Sequence, residues 1–317
     1  ETMLKTLAGE ERLNMTRLAL NGSEYINGVA KRHAQTSRGM FPGYQVRAIT
    51  NGVHPWTWVG EPLRKVYDAE LQGWCHEPEL LVNADRIADS SIWEAHCEQK
   101  NRLFAYVAKE SGIALNPEAL TIGFARRMTA YKRPALLFSD IERLRTMAAR
   151  LPLQVVVAGK AHPRDYGGKE AIATIHSAAK QLGADVPVVF LPDYDMAIAS
   201  RMVAGVDVWL NTPQPPREAS GTSGMKAAFN GVPNFSTLDG WWEEGWVEGI
   251  TGWAIGERGQ SDHAAALYRK LEENVLPLFH RDRPGWIRLM KGAISRNASV
   301  FSSHRMLRRY ATEAYMR

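Results

Sequence analysis

The sequence predicts an α/β fold built on a doubly wound, mostly parallel sheet. From about residue 115 onward, short apolar runs alternate with helix-patterned segments, and every chemistry-bearing motif there falls just after one of those runs. Strands separated by helices need crossover connections and so pair in parallel. Ligands of such sheets sit beyond the carboxyl ends of the strands.

The elements follow in order. Leu120-Thr-Ile-Gly-Phe-Ala125 reads as a strand, and residues 134–149 as a helix with Leu136, Leu137, Ile141, Leu144 and Met147 on one stripe. Residues 154–158 form a buried strand that stops at Gly159. A helix over 168–182, a strand over 186–191 and a short helix over 196–203 come next. The strand 206–211 precedes a helical segment starting near Met225, and later strands fall at 232–237 and 253–255. Helices are expected over 91–110, 263–279 and 302–317. The last starts at a capping serine pair and carries a stripe of Met306, Leu307, Tyr310, Ala314 and Tyr315. No internal repeat or low-complexity segment interrupts the pattern.

The chain has 317 residues, 45% of them hydrophobic and 23% charged, as in globular proteins. Its length suits one large or two ordinary domains. A net charge of +5 is too small and dispersed for a nucleic-acid surface but compatible with small anions. Cys75 and Cys97, beside His76 and His96, give neither a disulfide framework nor compact zinc-ligand spacing, so no metal is expected. With no apolar run of membrane-spanning length and no signal-peptide pattern, the expected location is the cytoplasm and no membrane partner is expected. Glu1-Thr-Met-Leu starts without an initiator methionine and enters a helical pattern at once, as expected of a chain entered in mid-domain.

Glu218-Ala-Ser-Gly-Thr-Ser-Gly-Met-Lys226 is the most informative stretch. It sets an acid, small hydroxyl residues and glycines between a strand and a helix, just ahead of one lysine. Backbone N–H groups at a helix start favour a phosphate, and glycines allow close approach. A lysine on that first turn can hold a carbonyl cofactor covalently.

Arg126, Arg127, Lys132 and Arg133 follow the first strand and read as an anion clamp rather than a solvated basic turn. Lys160 and His162, after Gly159, are structural or face the cleft; the residues leave both open. The chain contains neither a Walker loop nor a Gly-x-Gly-x-x-Gly fingerprint. Asp239-Gly-Trp-Trp-Glu-Glu-Gly-Trp246 places aromatic faces beside carboxylates, which suits either a sugar or a tryptophan-rich interface. Asn51-Gly52 is a turn signal.

Taken in order, Asn27-Gly-Val-Ala-Lys-Arg-His33, Thr50-Asn-Gly52, Arg126-Arg-Met-Thr-Ala-Tyr-Lys132, Gly159-Lys-Ala161 and Glu218 to Lys226 resemble the glycogen and α-glucan phosphorylases, especially their shorter bacterial and archaeal branch. The resemblance extends over almost the whole chain. It implies a two-lobed GT-B-type glycosyltransferase architecture with the active site between lobes. It also implies pyridoxal 5′-phosphate on Lys226, with Thr222, Ser223, Gly224 and Arg126 near the cofactor phosphate. Arg127 and Lys132 would hold the substrate phosphate, and Glu218, Ser220, Gly221 and Asn51 the sugar.

The implied reaction is reversible phosphorolysis of an α-1,4-glucan end by inorganic phosphate, giving glucose 1-phosphate with retention. The cofactor phosphate would act in proton transfer. Two phosphates in contact repel: at ~4 Å and an effective dielectric of ~20, each pair of unit charges costs roughly 4 kcal/mol. Clustered cations offset that repulsion.

Three departures from the larger family members stand out. Asp195 replaces an arginine, Ser223-Gly224 a Gly-Asn pair, and Trp241-Trp242 an Ala-Asn pair. The resemblance divides the chain into the tail of an N-terminal lobe (1–51), a cofactor-binding lobe (52–300) and a crossover helix (301–317). The family's Gly-rich loop and sugar-contacting histidine lie upstream of the matching region, so the chain is expected to need an N-terminal lobe or a second copy. Rival readings are a nucleotide-sugar glycosyltransferase of the glycogen-synthase type and a non-catalytic glucan- or partner-binding lobe.

Overall fold

The computed structural model describes residues 2–9 and 12–316; Glu1 and Arg317, the outer ends of the predicted terminal elements, lie outside the described residues. The strands are β1 (Asn27–Gly28), β2 (Arg47–Ala48), β3 (Leu120–Ala125), β4 (Leu153–Ala158), β5 (Val188–Leu191), β6 (Val208–Asn211), β7 (Asn234–Ser236) and β8 (Gly252–Ala254). β1 and β2 pair in parallel. The other strands form one sheet in the order β5-β4-β3-β6-β7-β8, with every pair parallel.

The chain enters this sheet in the middle at β3 and winds outward through β4 to β5. It then returns to β6 beside β3 and winds the other way. This is the doubly wound arrangement read from the sequence; β3 matches its predicted run, β4 and β8 lie within one residue of theirs, and β5, β6 and β7 begin two residues later than predicted. Pro187 and Pro233 stand just ahead of β5 and β7, where they contribute only carbonyls: Pro187 O accepts from Val155 N (2.9 Å) and Pro233 O from Trp209 N (3.0 Å). Every residue of β3 and β4 is buried, which is why both read as apolar runs interrupted only by Thr121 and Gln154.

Two predicted helices are divided. The 134–149 segment becomes a short turn, Leu136–Phe138, and a helix, Ile141–Arg150. Asp140 makes the break, because its carboxylate accepts from Arg143 N (2.9 Å) and caps a new start. The 263–279 segment runs as His263–Lys270, a wide turn over Leu271–Val275, then Leu276–Arg281. Pro277 lacks the N–H that a continuous ladder needs there. The long helix spans Asp89–Ser111 and stops at Gly112, which takes the left-handed conformation at φ 72°. No helix among the described residues is long and apolar enough to cross a membrane.

The terminal helix, Ser303–Tyr310, continues as a wider turn over Ala311–Tyr315. Ser302 caps it as expected, accepting from Arg305 N (3.1 Å). The helix crosses the segment that holds β1 and β2. Arg305 donates to the carbonyls of Thr50 (2.6 Å) and Asn51 (2.9 Å), Arg309 to that of Ala48 (3.0 Å), and Asn27 Nδ2 to the Tyr310 hydroxyl (2.9 Å). Met306 and Tyr310 are half-buried by this contact, while Tyr315 stays exposed.

At the amino-terminal end of the sheet lies a buried charge cluster. Asp207 accepts from Thr121 N (2.7 Å), Lys100 Nζ (2.7 Å) and His96 Nε2 (2.8 Å), and Lys100 also donates to Ala119 O (2.9 Å). Burial opposes the Asp207 charge, but Lys100 and His96 outweigh it and hold the carboxyl below its usual range. Asp207→Ala leaves Lys100 buried without its carboxylate and should cost about 3–5 kcal/mol, read from urea unfolding. Because the native pKa is depressed, the stabilisation is present above the unfolded value of about 3.9 and fades as pH falls below it. The gap between wild type and variant should therefore close in acid; a gap unchanged from about pH 7 to about pH 3 contradicts this account.

Candidate active site

The two halves of the sheet diverge between β3 and β6. The loops leaving these strands separate there and open a crevice, the position at which such folds bind ligands. The β3 loop carries Arg126 to Arg133, and the β6 loop carries Thr212 to Lys226. Local bonds tie the two loops together. Arg133 donates to the carbonyls of Thr212 (2.8 Å) and Pro213 (2.9 Å), Thr212 Oγ1 to Lys132 O (2.9 Å), and Gln214 N to Tyr131 O (2.7 Å).

The four cations of the β3 loop therefore take different tasks. Arg133 is a brace between loops. Arg127 is exposed and makes no hydrogen bond or ion pair among the described residues. Arg126 and Lys132 are buried, and both reach Glu218 Oε2: Arg126 Nη2 at 2.9 Å and Lys132 Nζ in a very short contact. Arg126 Nε and Nη1 are buried with no partner. Two buried cations share one carboxylate, so the cluster holds more donors than its own acceptor can satisfy. Burial lowers the pKa of Lys132 to about 8, helped by the neighbouring Arg126 charge and opposed by Glu218.

Glu218 is itself held from below. Its N–H donates to Asp239 Oδ2 (2.8 Å), and Asp239 Oδ1 accepts from Gly240 N (2.9 Å). Trp241 N donates to Ser220 O (2.9 Å), so the segment after β7 grips the Glu218–Ser220 turn at two points. Gly240 sits at φ 57°, and a Cβ there would lie 2.5 Å from Ser220 O. Only glycine fits that close approach. Arg126, Asn211, Glu218, Ser220, Asp239 and Trp241 line a nearly filled cleft of about 10 Å3, with the Ser220 hydroxyl buried and unpaired at its wall.

The remainder of the Gly/Ser/Thr stretch forms the start of the helix Ser223–Ala228. Ser223 Oγ points into the sheet, accepting from Trp209 Nε1 (3.0 Å) and donating to Asn211 Oδ1 (3.3 Å). Gly224 is packed so that a Cβ would lie 2.6 Å from Asn234 Oδ1 and 2.9 Å from the Trp241 ring. Thr222 is half-buried and its carbonyl accepts from Lys226 N (3.2 Å). The Gly221 turn stands beside the Glu218 side chain, with a built Cβ 3.1 Å from Glu218 Cγ.

Lys226 is half-buried with its ammonium 3.6 Å from the centroid of the Trp58 ring, and no carboxylate among the described residues pairs with it. Burial lowers its pKa. Asn51 is half-buried at the start of the crossing, and its carbonyl is taken by Arg305. The structure thus gathers Arg126, Lys132, Glu218, Ser220 and Gly221 around one cleft. Lys226 lies apart against Trp58, and Arg127 and Asn51 stand outside the cluster.

Other motifs resolve differently. His162 Nδ1 accepts from Arg164 N (3.1 Å) and closes a turn, and Lys160 is largely exposed, 3.9 Å from Asp193. Trp241 and Trp242 are core residues, 2% and 1% exposed, so neither offers a face to a sugar or an interface. Glu244 bonds Thr50 Oγ1 (2.9 Å) and Lys31 N (2.9 Å), tying the first fifty or so residues to this motif. Asp195 caps its helix, accepting from Ile198 N (2.8 Å). Trp58 went unassigned at the sequence level, and Asp239 was read only as one of the carboxylates of the tryptophan-rich motif. Each acts on a residue elsewhere in the chain, Asp239 on Glu218 and Trp58 on Lys226.

This arrangement is that of a doubly wound α/β protein with a buried cation pair at the switch point of its sheet, and comparison with known proteins defines it further. The chain belongs to the carbohydrate phosphorylase family, whose pattern matches residues 2–243. It is 41% identical to a glycogen phosphorylase of Aquifex aeolicus, the alignment covering 96% of this chain and 50% of that protein. It is 37% identical to a maltodextrin phosphorylase of Thermococcus litoralis, over 96% of this chain and 41% of the relative. A glycogen phosphorylase of Mycobacterium tuberculosis is 34% identical over 96% and 40% of the two chains. The chain spans half or less of the length of these curated relatives.

Burial pushes the pKa of Asp239 up to about 6, against the two backbone N–H bonds it accepts. Its carboxyl carbon should titrate near that value in 13C NMR, with Glu218 and Ser220 amide resonances following. A pKa raised in the native state means that this group's contribution to stability is greatest below about pH 3.9 and declines as pH rises through about 6. Titration near the ordinary carboxylate value would show that the clasp is solvated.

Proposed function

We propose that the chain is the cofactor- and phosphate-holding part of an α-glucan phosphorylase, which transfers glucose units reversibly between glucan ends and inorganic phosphate, giving glucose 1-phosphate with retention. The observation that carries the reading is the pair of buried cations, Arg126 and Lys132, converging at the switch point with donors left over. Family membership favours this reading over the nucleotide-sugar alternative. In it, residues 52–300 form one lobe, residues 1–51 the tail of another, and residues 301–317 the helix that crosses between them. Half-buried, unbridged Cys75 and Cys97 suit a cytoplasmic setting.

Pyridoxal phosphate fits the residues present. The Lys226 amine has no anionic partner and a lowered pKa, which favours covalent attachment of a carbonyl cofactor. Thr222, Ser223 and Gly224 would offer backbone N–H groups to its phosphate, and Arg126 its unpaired Nε and Nη1. Bound there, the cofactor supplies a phosphate that can exchange a proton with the substrate phosphate.

Lys132 and Arg127 neutralise the incoming phosphate, Lys132 from its buried position and Arg127 by turning in from the surface. An incoming dianion competes with Glu218 for Lys132 and Arg126. The released carboxylate then accepts from sugar hydroxyls beside Ser220 and Gly221, and Asn51, which stands outside the cluster, would have to move in to reach the sugar. The cations stabilise negative charge while the sugar develops positive character at the breaking bond. The cleft between lobes excludes water, so the whole reaction needs an N-terminal lobe or a second copy.

Borohydride reduction of the chain with pyridoxal phosphate should label one lysine stoichiometrically, and Lys226→Ala should abolish the label. Undiminished labelling of that variant would overturn the cofactor assignment. In an enzyme supplied with the upstream lobe, Arg127→Ala should lower phosphorolysis at least about tenfold with cofactor content unchanged, as for a lost charge-assisted contact of roughly 1.5–3 kcal/mol. The 317-residue chain alone should release negligible glucose 1-phosphate. Turnover near the enzyme median of about 10 per second would refute the need for another lobe.

A further inference from the structure

Two carbonyls account for only part of the Arg133 brace. Its Nε and Nη2 donate to Thr212 and Pro213, and its Nη1 lies 2.9 Å from Nδ1 of His263. His263 opens the helix His263–Lys270, 130 residues further along the chain. A guanidinium has donors and no acceptor, so Nδ1 of His263 is the acceptor and carries no proton. The proton of the neutral ring is therefore on Nε2. This bond exists only while the imidazole is neutral. A second proton would land on Nδ1, remove the acceptor and set two cations against each other.

The surroundings favour the neutral ring. His263 is 8% exposed. Burial lowers its pKa, the Arg133 charge lowers it further, and Asp262 works the other way. The Asp262 carboxylate is also the helix cap, accepting from Ala265 N (2.9 Å). The positive end of the helix opposes an imidazolium as well. The 256–260 turn covers the ring with Gly256, where a Cβ would lie 3.2 Å from His263 Cδ2 and 3.0 Å from Gln260 Oε1. The charged residues of that turn, Glu257 and Arg258, are exposed, and Arg258 bonds Glu243 (2.9 Å). The turn Leu136–Phe138, packed on the same helix, brings no charge.

The brace bears directly on the cation cluster. Lys132, buried against Glu218, immediately precedes Arg133. Arg133 holds a left-handed backbone at φ 46°, which a residue with a side chain keeps only when its surroundings impose it. Thr212 Oγ1 reaches the carbonyls of both Lys132 (2.9 Å) and Arg133 (3.0 Å). Three anchors on one guanidinium supply the constraint. Exchanging one of them for repulsion lets the turn relax and moves Lys132 with it.

We propose that His263 is a positioning residue for the phosphate clamp: as a neutral acceptor it secures Arg133, and its protonation loosens the turn that presents Lys132, so that the site holds inorganic phosphate less tightly in acid. The part of Lys132 in holding phosphate rests on the function proposed above; the His263–Arg133 contact does not. The contact is complete above the ordinary histidine value of about 6.5 and is lost as pH falls below it.

The test uses the 317-residue chain with inorganic phosphate as probe. Titrations read from the Lys132 amide resonance at about pH 7.5 and about pH 5.5 give the affinity on either side of the histidine range. Phosphate and the other groups of the site titrate on their own, so the comparison is with His263→Asn, whose amide oxygen accepts from Arg133 at every pH. Between those two conditions the wild type should lose about tenfold more affinity than His263→Asn, the scale of one hydrogen bond to a charged group. His263→Ala, with no acceptor, should bind weakly at both without the additional acid loss. Without phosphate, the Lys132 and Gln214 amides should shift together with the His263 titration in the wild type and stay still in His263→Asn. If His263→Ala does not fold, the wild type and His263→Asn decide the matter.

Parallel losses in wild type and His263→Asn overturn this inference and leave the clamp in place. So does an affinity that rises in acid relative to His263→Asn, which would make the imidazolium one more cation of the clamp. A ring protonated on Nδ1 at about pH 7.5 overturns the contact itself. If neither protein binds phosphate at any pH, the clamp of the proposed function fails, and this inference with it.

Discussion

The site depends on one carboxylate. Glu218 is the shared acceptor of Arg126 and Lys132, and both cations are buried at the point where the sheet changes direction. Without a carboxylate there, two like charges would face each other in a poorly solvated crevice, at a cost that burial magnifies. This charge between the β3 and β6 loops acts together with the Arg133, Thr212 and Gln214 bonds that hold them close. In the function proposed above, the same carboxylate is a temporary partner. It satisfies one hydrogen of a fork that has more to give, and it can be exchanged for a ligand anion of higher charge. Phosphate and sugar binding would then be linked, since the group freed by one becomes available to the other.

Holding Glu218 in place falls to backbone bonds from another strand. Asp239 and Trp241 follow β7, the next strand out from β6, and they fix the main chain on both sides of Ala219. A mobile acid could follow either cation or leave for solvent. An acid on a pinned backbone has only its side-chain torsions to change, so a swing between cations and hydroxyls is short and reproducible. The grip also explains two buried tryptophans beside a polar cleft. Trp241 and Trp242 support the floor on which the turn rests, and they replace the sugar contacts that their composition suggests.

Local patterns made the sheet legible. Val155-Val-Val157 and the mostly apolar Leu120 to Ala125 are legible because helices cover both faces, and the intervening helices carry their own stripes. The two-residue strands β1 and β2 leave no such pattern. Helix breaks at Asp140 and Pro277 were also present in the sequence but are outweighed by the apolar stripe around them. Within the site, residue types and spacing pointed to Glu218, Arg126, Lys132 and Lys226. Which of four adjacent cations turns inward was not legible, because it depends on carbonyls of Thr212 and Pro213 about eighty residues away. The burial of Trp241 and Trp242 against the exposure of Trp246 likewise comes from tertiary packing, and identical residue types cannot announce it.

The surroundings of Lys226 show how far such non-local control reaches. Asn230, one turn further along, donates to the carbonyls of Lys226 (3.1 Å) and Trp58 (2.7 Å) and accepts from Gly60 N (2.7 Å). Tyr67 fastens the same region by donating to Phe229 O (3.0 Å). These bonds fix the Trp58 ring against the ammonium. Trp58 follows closely on Val53, which pairs with Ser302 at the foot of the terminal helix. The terminal helix in turn grips residues 48–51 through Arg305 and Arg309. The lysine's setting is therefore built by segments from both ends of the chain meeting over the sheet. A shift of the terminal helix would move Val53 and, through it, the ring that faces Lys226. The setting of Lys226 and the docking of the terminal helix on residues 48–53 are in this way parts of one mechanical assembly.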